Sequence, residues 1–348
     1  MSFGFGIIGT GMIARFHAAA IKEIRGASLV GCYNSTAAKA EKFAVDHACT
    51  AYASLDDMLA NPKIDVVTIC TPSGAHLEPG LVAAKAGKHL LIEKPLEVTL
   101  ARCDKLIDAC DKANVQLGTI FPSRYHESAR TLKAAIDKNR FGTISLADAY
   151  VKWYRTQQYY DSGAWRGTWK LDGGGALMNQ AIHTVDLLLW MMGPVKEVSA
   201  YTATRSHENI EVEDVAVASL RFESGALGVI EATTGAFPGS LKKVEIAGSL
   251  GTAILEEEDL IKWQFAKPTK QDEKIAAELS AKTKSGGGAG DPAAIGHVAH
   301  RELFKDFLSA IKSGKRSAID GLEGRRSVEL ILAIYKSAKA GKTVRLSR

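Results

Sequence analysis

An apolar stretch from Phe3 to Ile8 runs straight into Gly9-Thr10-Gly11-Met12-Ile13-Ala14 and from there into a helical pattern. This context constrains the fold more than any other feature, because G-x-G-x-x-A is a dinucleotide fingerprint only where a strand precedes it and a helix follows. Gly9 admits the tight turn, Gly11 lets the main chain approach a pyrophosphate with no Cβ in between, and Ala14 allows close helix-to-strand packing. The helix start adds unpaired N–H groups and partial positive charge. Downstream, short β-branched runs at 28–33, 49–52, 64–70, 89–92 and 116–120 alternate with helical segments at 12–25, 36–47, 54–60, 75–87 and 99–113. Such alternation builds βαβ units on a parallel, doubly wound sheet.

From about residue 144 the pattern changes. Extended runs at 144–154, 195–205, 213–222, 225–234, 241–248 and 251–256 follow one another across tight turns, as an antiparallel sheet requires. A helix over 176–192 precedes most of them, and helices at 297–312 and 321–340 follow. The polar, lysine-rich segment 267–296 ends near Ser285-Gly-Gly-Gly-Ala-Gly290 and reads either as a flap over a site or as a bare linker. At roughly 150 residues per domain, 348 residues call for two. The expected division is 1–122 for the dinucleotide domain and 123–348 for a substrate and oligomerisation domain.

Composition narrows the function. Forty-four Lys and Arg against 39 Asp and Glu are spread along the chain, which argues against a nucleic-acid partner. No apolar run reaches the ~18–20 residues of a membrane helix, and the N-terminus lacks a signal-peptide pattern, so a soluble, cytoplasmic protein with no membrane partner is expected. Cys32, Cys49, Cys70, Cys103 and Cys110 show neither C-x-x-C nor Cys/His spacing, so they read as reduced packing residues and no metal site is expected.

The end of the second strand should face the adenosine ribose. It carries Asn34, Ser35 and Thr36 where an Asp or Glu would bond both ribose hydroxyls of NAD, and Lys39 follows within reach of a phosphate. The cofactor is therefore NAD or NADP. Ligands of such sheets lie beyond the carboxyl ends of the strands, which points to Thr71, Pro72 and His76 after the fourth strand and to Glu93-Lys94-Pro95 after the fifth. His76 lines the nicotinamide ribose on one reading and is a capping histidine on the other.

These elements, together with Gly173-Gly-Gly-Ala-Leu-Met-Asn179-Gln-Ala-Ile-His183-Thr-Val-Asp186, resemble the Gfo/Idh/MocA oxidoreductases. The resemblance extends over nearly the whole chain in the expected order. It implies an N-terminal Rossmann domain, a C-terminal α+β domain with a large, mainly antiparallel open sheet, and NAD(P)-dependent redox chemistry on a sugar, polyol or nucleotide sugar. It also implies a homodimer or homotetramer assembled through that sheet. The wording around Asn179 and His183, with Trp153-Tyr-Arg and Gly163-Ala-Trp-Arg-Gly-Thr-Trp169 upstream, looks most like the UDP-N-acetylglucosaminuronate 3-dehydrogenase subgroup. Many sugar-oxidising members carry Asp where this chain has Asn179, and an amide cannot exchange that proton.

The chemistry stands beside the resemblance. Oxidising a secondary alcohol needs a group to take the hydroxyl proton and a donor to stabilise the developing alkoxide. His183 suits the first role by its ordinary pKa, Lys94 the second, and Asn179 positions a neighbouring hydroxyl. Asn179, His183 and Asp186 fall at i, i+4 and i+7, so one helix face should carry all three. Substrate contacts are expected from Arg124 and Tyr125 after the sixth strand and from Tyr154, Trp165 and Arg166, since aromatic faces stack on sugars and guanidinium forks bind carboxylate or phosphate. Two rival readings keep the fold: a cofactor-retaining enzyme that cleaves glycosides through transient oxidation, and a non-catalytic nucleotide-binding regulator.

Overall fold

Starting at the N-terminus, β1 (Phe3–Ile8), α1 (Met12–Lys22), β2 (Ala27–Tyr33), α2 (Ala37–His47), β3 (Thr50–Ala51), α3 (Leu55–Ala60), β4 (Val66–Ile69), α4 (Leu77–Lys85), β5 (His89–Ile92), α5 (Leu100–Ala113) and β6 (Leu117–Thr119) follow one another. Then come α6 (Glu127–Asp137), β7 (Ile144–Lys152), α7 (Gln157–Asp161), a π turn (Ala176–Ala181) leading into α8 (Ile182–Met192), β8 (Val195–Ala203), β9 (Val215–Phe222) and β10 (Leu227–Thr233). The chain continues with β11 (Lys243–Gly248), β12 (Gly251–Glu256), β13 (Asp259–Phe265), α9 (Lys270–Ala281), α10 (Val298–Ser313), α11 (Gly321–Ala340) and β14 (Val344–Arg345). This computed structural model describes residues 2–281 and 296–346. Two units emerge: Met1–Pro122 with Lys170–Gly173 and Gly296–Val328, and Ser123–Trp169 with Gly174–Ile295 and Glu329–Arg348.

The first unit holds a six-stranded sheet in the order β3-β2-β1-β4-β5-β6, all neighbours parallel. Every residue of β1 and β4 is buried, which is why these strands read as continuous apolar runs and not as alternating ones. The strand order reverses between β1 and β4, and ligands of doubly wound sheets collect at that switch point. Helix α5 begins as expected at Thr99, whose hydroxyl accepts the Arg102 N–H.

The second unit is built on an eight-stranded sheet, β13-β12-β11-β7-β10-β9-β8-β14. It is mixed: β7 and β10 run parallel, and the remaining pairs are antiparallel. One face packs Ala147, Ala149, Val151, Ala216, Ala218, Leu220 and Ile230 into the core. Their neighbours Leu146, Tyr201, Val217 and Leu227 point the other way and are exposed.

Three features depart from the sequence expectation. The expected helix at 176–192 is a π turn followed by α8. Two further strands, β13 and β14, extend the sheet at its two edges. Residues 270–281, expected within the 267–296 flap or linker, form α9, because Asp272 is gripped by Arg140 at 2.7 Å, by Trp263 Nε1 at 2.9 Å and by the Thr269 main-chain N–H at 2.6 Å. The glycine tract that suggested the flap lies outside the described residues. Among the described residues, no helix is long and apolar enough to cross a membrane.

Candidate active site

In the first unit the glycine turn is dictated by its surroundings. Gly9 sits at φ +86°, and a Cβ there would lie 2.8 Å from the main chain of Cys70. A Cβ on Gly11 would meet nothing within 4 Å, Met12 is exposed, and no side chain caps the start of α1. The turn therefore has the room and the free-facing donors that a pyrophosphate needs. Thr10 and Ile13 are partly exposed beside it. Asn34 stitches this turn to the end of β2: its amide donates to Thr10 Oγ1 at 2.9 Å, and its carbonyl accepts the Thr36 N–H at 2.9 Å. Ser35 and Lys39 are exposed just beyond it.

The turn after β4 and the one after β5 are tied together by His76. Its ring is fully buried, with Nε2 3.0 Å from the Thr71 carbonyl and Nδ1 3.0 Å from that of Pro95. Burial lowers its pKa. With one N–H in its neutral form, the His76 ring donates to one of these carbonyls and packs against the other, between the two turns. Glu97 acts alongside it, accepting the Leu77 and Val98 N–H groups and the Arg102 guanidinium. Lys94 itself is half-buried.

Beneath Lys94 lies a charged pair that sequence reasoning missed. His17 of α1 is fully buried, with Nε2 2.8 Å from Glu93 Oε1, while Glu93 Oε2 accepts the Lys94 main-chain N–H at 3.1 Å. His17 Nδ1 lies 2.8 Å from Thr68 Oγ1 and 3.2 Å from Cys70 Sγ. Burial works against the imidazolium, but Cys70 and Glu93 outweigh it and lift His17 to about 10. Burial likewise works to raise Glu93, yet the hydrogen bond and charge of His17, with His300 and Lys94 adding to them, bring it down to about 2. His17, Glu93 and His300 offer ligand-type atoms within 4.8 Å of one another, but both Glu93 oxygens are already used by His17 and Lys94. The one clue in the sequence is a solitary histidine among the apolar residues of Phe16-His-Ala-Ala-Ala-Ile21.

In the second unit the helix after the triple glycine presents its polar residues selectively. Between Gly174 and Leu189 every residue is buried except Asn179 and His183, which are half-exposed. Asp186 does not share that exposure. It is fully buried and holds the Arg124 guanidinium through Nε at 2.8 Å and Nη2 at 2.6 Å. A buried carboxylate needs a charged partner, and the Arg124 fork supplies it. Arg124, expected as a substrate contact, is 6% exposed, with its guanidinium already paired and the Trp190 ring 5.6 Å away.

Beside Asn179 a polar cluster forms around Tyr159. Its hydroxyl accepts Arg166 Nη1 at 2.7 Å and Gln180 Nε2 at 2.9 Å, and Gln180 also reaches Asn179 Oδ1 at 3.2 Å and Arg155 Nη2 at 3.1 Å. Arg166 lies between rings, 4.2 Å from the Tyr159 centroid and 4.4 Å from that of Trp165. Two guanidinium groups, an amide and two aromatic faces therefore gather next to Asn179. The Tyr154 carbonyl accepts Arg155 Nη1 at 2.8 Å while its ring lies edge-on to the exposed Phe237, and the Tyr125 ring lies 4.6 Å from the Arg130 guanidinium.

Comparison with known proteins places this geometry. The family model for the NAD-binding Rossmann fold of the oxidoreductase family matches residues 3–121, and the model for the GFO/IDH/MocA C-terminal domain matches residues 129–254. The solved WlbA dehydrogenase from Bordetella pertussis, in complex with NADH and UDP-GlcNAcA, is 34% identical and superimposes with a TM-score of 0.90 over 100% of this chain and 98% of its own. The chain belongs to the GFO/IDH/MocA oxidoreductase family. Its curated relatives include a myo-inositol 2-dehydrogenase from Thermotoga maritima, 28% identical across 98% of both chains, and a 1,5-anhydro-D-fructose reductase from Ensifer adhaerens, 25% identical across 98% of both. It is an NAD-binding oxidoreductase with a Rossmann domain, as the glycine turn indicated.

Beyond His17 and Glu97, two further residues of this oxidoreductase escaped the sequence reading, Glu213 and Tyr335. Glu213 is 4% exposed, and burial raises its carboxyl to about 7 against the pull of the donors around it. It stands in Val212-Glu-Asp-Val215, where neither spacing nor motif distinguishes it from a strand-flanking acid.

Proposed function

We propose that this enzyme oxidises a secondary hydroxyl of a nucleotide sugar bearing a carboxylate, of the UDP-N-acetylglucosaminuronate class, with NAD as the acceptor. The observation that carries the reading is the pairing of the two half-exposed polar residues of an otherwise buried helix, Asn179 and His183, with the Arg155, Tyr159 and Arg166 cluster alongside. Arg155 is 4% exposed and serves the cluster itself, while the half-exposed Arg166 offers the cation that a uronate or a diphosphate needs and a neutral polyol does not. The 34% identity to the WlbA dehydrogenase over the full chain supports the same substrate class.

Bound nicotinamide supplies the hydride acceptor. The Gly9–Ile13 turn and the amides of α1 hold its pyrophosphate, Asn34, Ser35 and Lys39 face the adenosine end, and Thr71, Pro72 and Glu93-Lys94 line the remainder, with His76 setting the spacing of these turns. The Lys94 ammonium donates to the reacting oxygen and stabilises negative charge as it develops there. The His183 imidazole removes the hydroxyl proton. Asn179 accepts from or donates to a neighbouring hydroxyl without exchanging a proton. Arg166, flanked by Tyr159 and Trp165, takes the anionic group.

The absence of a carboxylate at 34–40 leaves the adenosine end tolerant of NADP. The five free cysteines suit a reducing compartment, the cytoplasm. The exposed Leu146, Tyr201, Val217 and Leu227 on one sheet face support a homodimer or homotetramer formed through that face.

The test is absorbance at 340 nm with NAD or NADP and UDP-GlcNAcA, UDP-GlcNAc, inositols and free hexoses. UDP-GlcNAcA with NAD should give the highest kcat/KM, and Lys94→Ala and His183→Ala should each lower kcat about 10²–10⁴-fold. Equal rates with neutral polyols, or variants as active as the wild type, would refute the proposal.

A further inference from the structure

Every helix start leaves main-chain N–H groups without partners inside the helix. At the turn that carries Asn179 no local side chain supplies them, since the preceding residues are glycines. One distant residue does so instead. Glu213 Oε2 accepts the Gly175 N–H at 3.0 Å, its main-chain carbonyl accepts the Ala176 N–H at 3.0 Å, and Oε1 accepts the Leu177 N–H at 2.8 Å. Three consecutive amides are thus held by a single residue. The Tyr335 hydroxyl donates to the same carboxylate at 3.0 Å and fixes it from α11. The approach is so close that a Cβ on Gly175 would lie 1.7 Å from the Glu213 carbonyl oxygen, which accounts for a glycine at that position.

Asn179 lies four residues beyond this anchor and His183 eight, so a slip or rotation of the turn moves both side chains. We infer that Glu213, braced by Tyr335, is a positioning residue that sets the orientation of Asn179 and His183 toward substrate. The inference rests on the reading of those two residues as substrate contacts given above.

Four readouts on the enzyme test it: kcat and KM for UDP-GlcNAcA with NAD, the NADH dissociation constant by fluorescence, the NMR titration of the ¹³C-labelled His183 ring, and main-chain amide hydrogen exchange. Glu213→Gln keeps the shape but turns a donor toward one of the two amides. It should lower kcat about 10–100-fold, leave NADH affinity within about twofold, shift the His183 ring resonance and its titration midpoint, and speed amide exchange over 174–183 about tenfold while β7–β10 stay protected. Tyr335→Phe, a milder change, should move the same readouts in the same direction by about threefold. Wild-type kcat together with an unmoved His183 resonance overturns the inference. Exchange that quickens equally throughout the sheet overturns it too, because Glu213 would then serve the fold as a whole. If the wild type turns over no UDP-sugar, the substrate reading fails, while the His183 resonance still decides whether Glu213 positions that ring.

Discussion

Replacing His17 by leucine probes the buried pair beneath Lys94. The imidazole is fully enclosed 2.8 Å from Glu93 Oε1. Leucine fills similar space but strands the Glu93 carboxylate in the interior, and losing one member of a buried pair costs about 3–5 kcal/mol. For a unit of this size each kcal/mol is worth about 2–4 °C, so Tm should fall by about 6–20 °C. The pH dependence follows from both partners. His17 rises from 6.5 to about 10 on folding, so its contribution is complete below about pH 6.5 and is lost as pH climbs through 10. Glu93 falls from 4.5 to about 2, so its contribution is complete above about pH 4.5 and is lost as pH drops through 2. The deficit of His17→Leu should therefore peak between about pH 4.5 and 6.5 and shrink toward either extreme. Thermal unfolding of His17→Leu, Glu93→Gln and the double variant at pH 3, 6 and 9.5 checks this. The double variant buries no charge at these positions and should recover about 2 kcal/mol or more of the single-variant loss. A loss under about 1 kcal/mol at pH 6, or single-variant costs that simply add in the double variant, would refute the ion-pair account.

Two other outcomes are expected. Asn34→Asp keeps both local contacts, because the Thr10 hydroxyl can turn to donate and the Thr36 N–H is still accepted, while its charge repels a 2′-phosphate. The ratio of NADPH to NADH dissociation constants should rise about tenfold or more, and an unchanged ratio would place the adenosine ribose elsewhere. Burial raises Glu213 from 4.5 to about 7, with the Tyr335 phenol the titratable group facing it. A raised folded-state pKa means that its contribution is complete below about pH 4.5 and is lost as pH rises through 7, up to about 3 kcal/mol. The Tm of Glu213→Gln relative to wild type should thus improve between pH 4.5 and 8, and a flat difference would contradict the buried carboxyl.

The Rossmann half was legible because its signals are local. A strand, a glycine turn and a helix are contiguous, and βαβ alternation repeats the same short-range pattern through β6. The sheet of the second unit was legible as strands but not as an order. The parallel seating of β7 against β10 joins residues separated by the π turn and two strands, which no window of sequence contains. The break of the expected 176–192 helix into a π turn and α8 was equally hidden, since the amides at its start are satisfied by Glu213 and not by any neighbour in sequence.

The same division separates the site residues. Lys94, Asn179 and His183 could be proposed from motif and chemistry, because an ammonium suits oxyanion stabilisation, an imidazole proton transfer and an amide the holding of a hydroxyl wherever they lie. Partnership could not. Arg124 and Asp186 are 62 residues apart, His17 and Glu93 76, and each member alone looks like an ordinary charged or capping residue. Burying a charge is costly unless an opposite charge is brought to it, and only the tertiary structure decides which two meet. The amino-acid sequence by itself thus determined that the chain binds a dinucleotide and carries the groups for hydride-transfer chemistry. The fold decided which charged groups pair inside it, Arg124 with Asp186 and His17 with Glu93, and which polar residues of the 174–189 stretch stay half-exposed, Asn179 and His183.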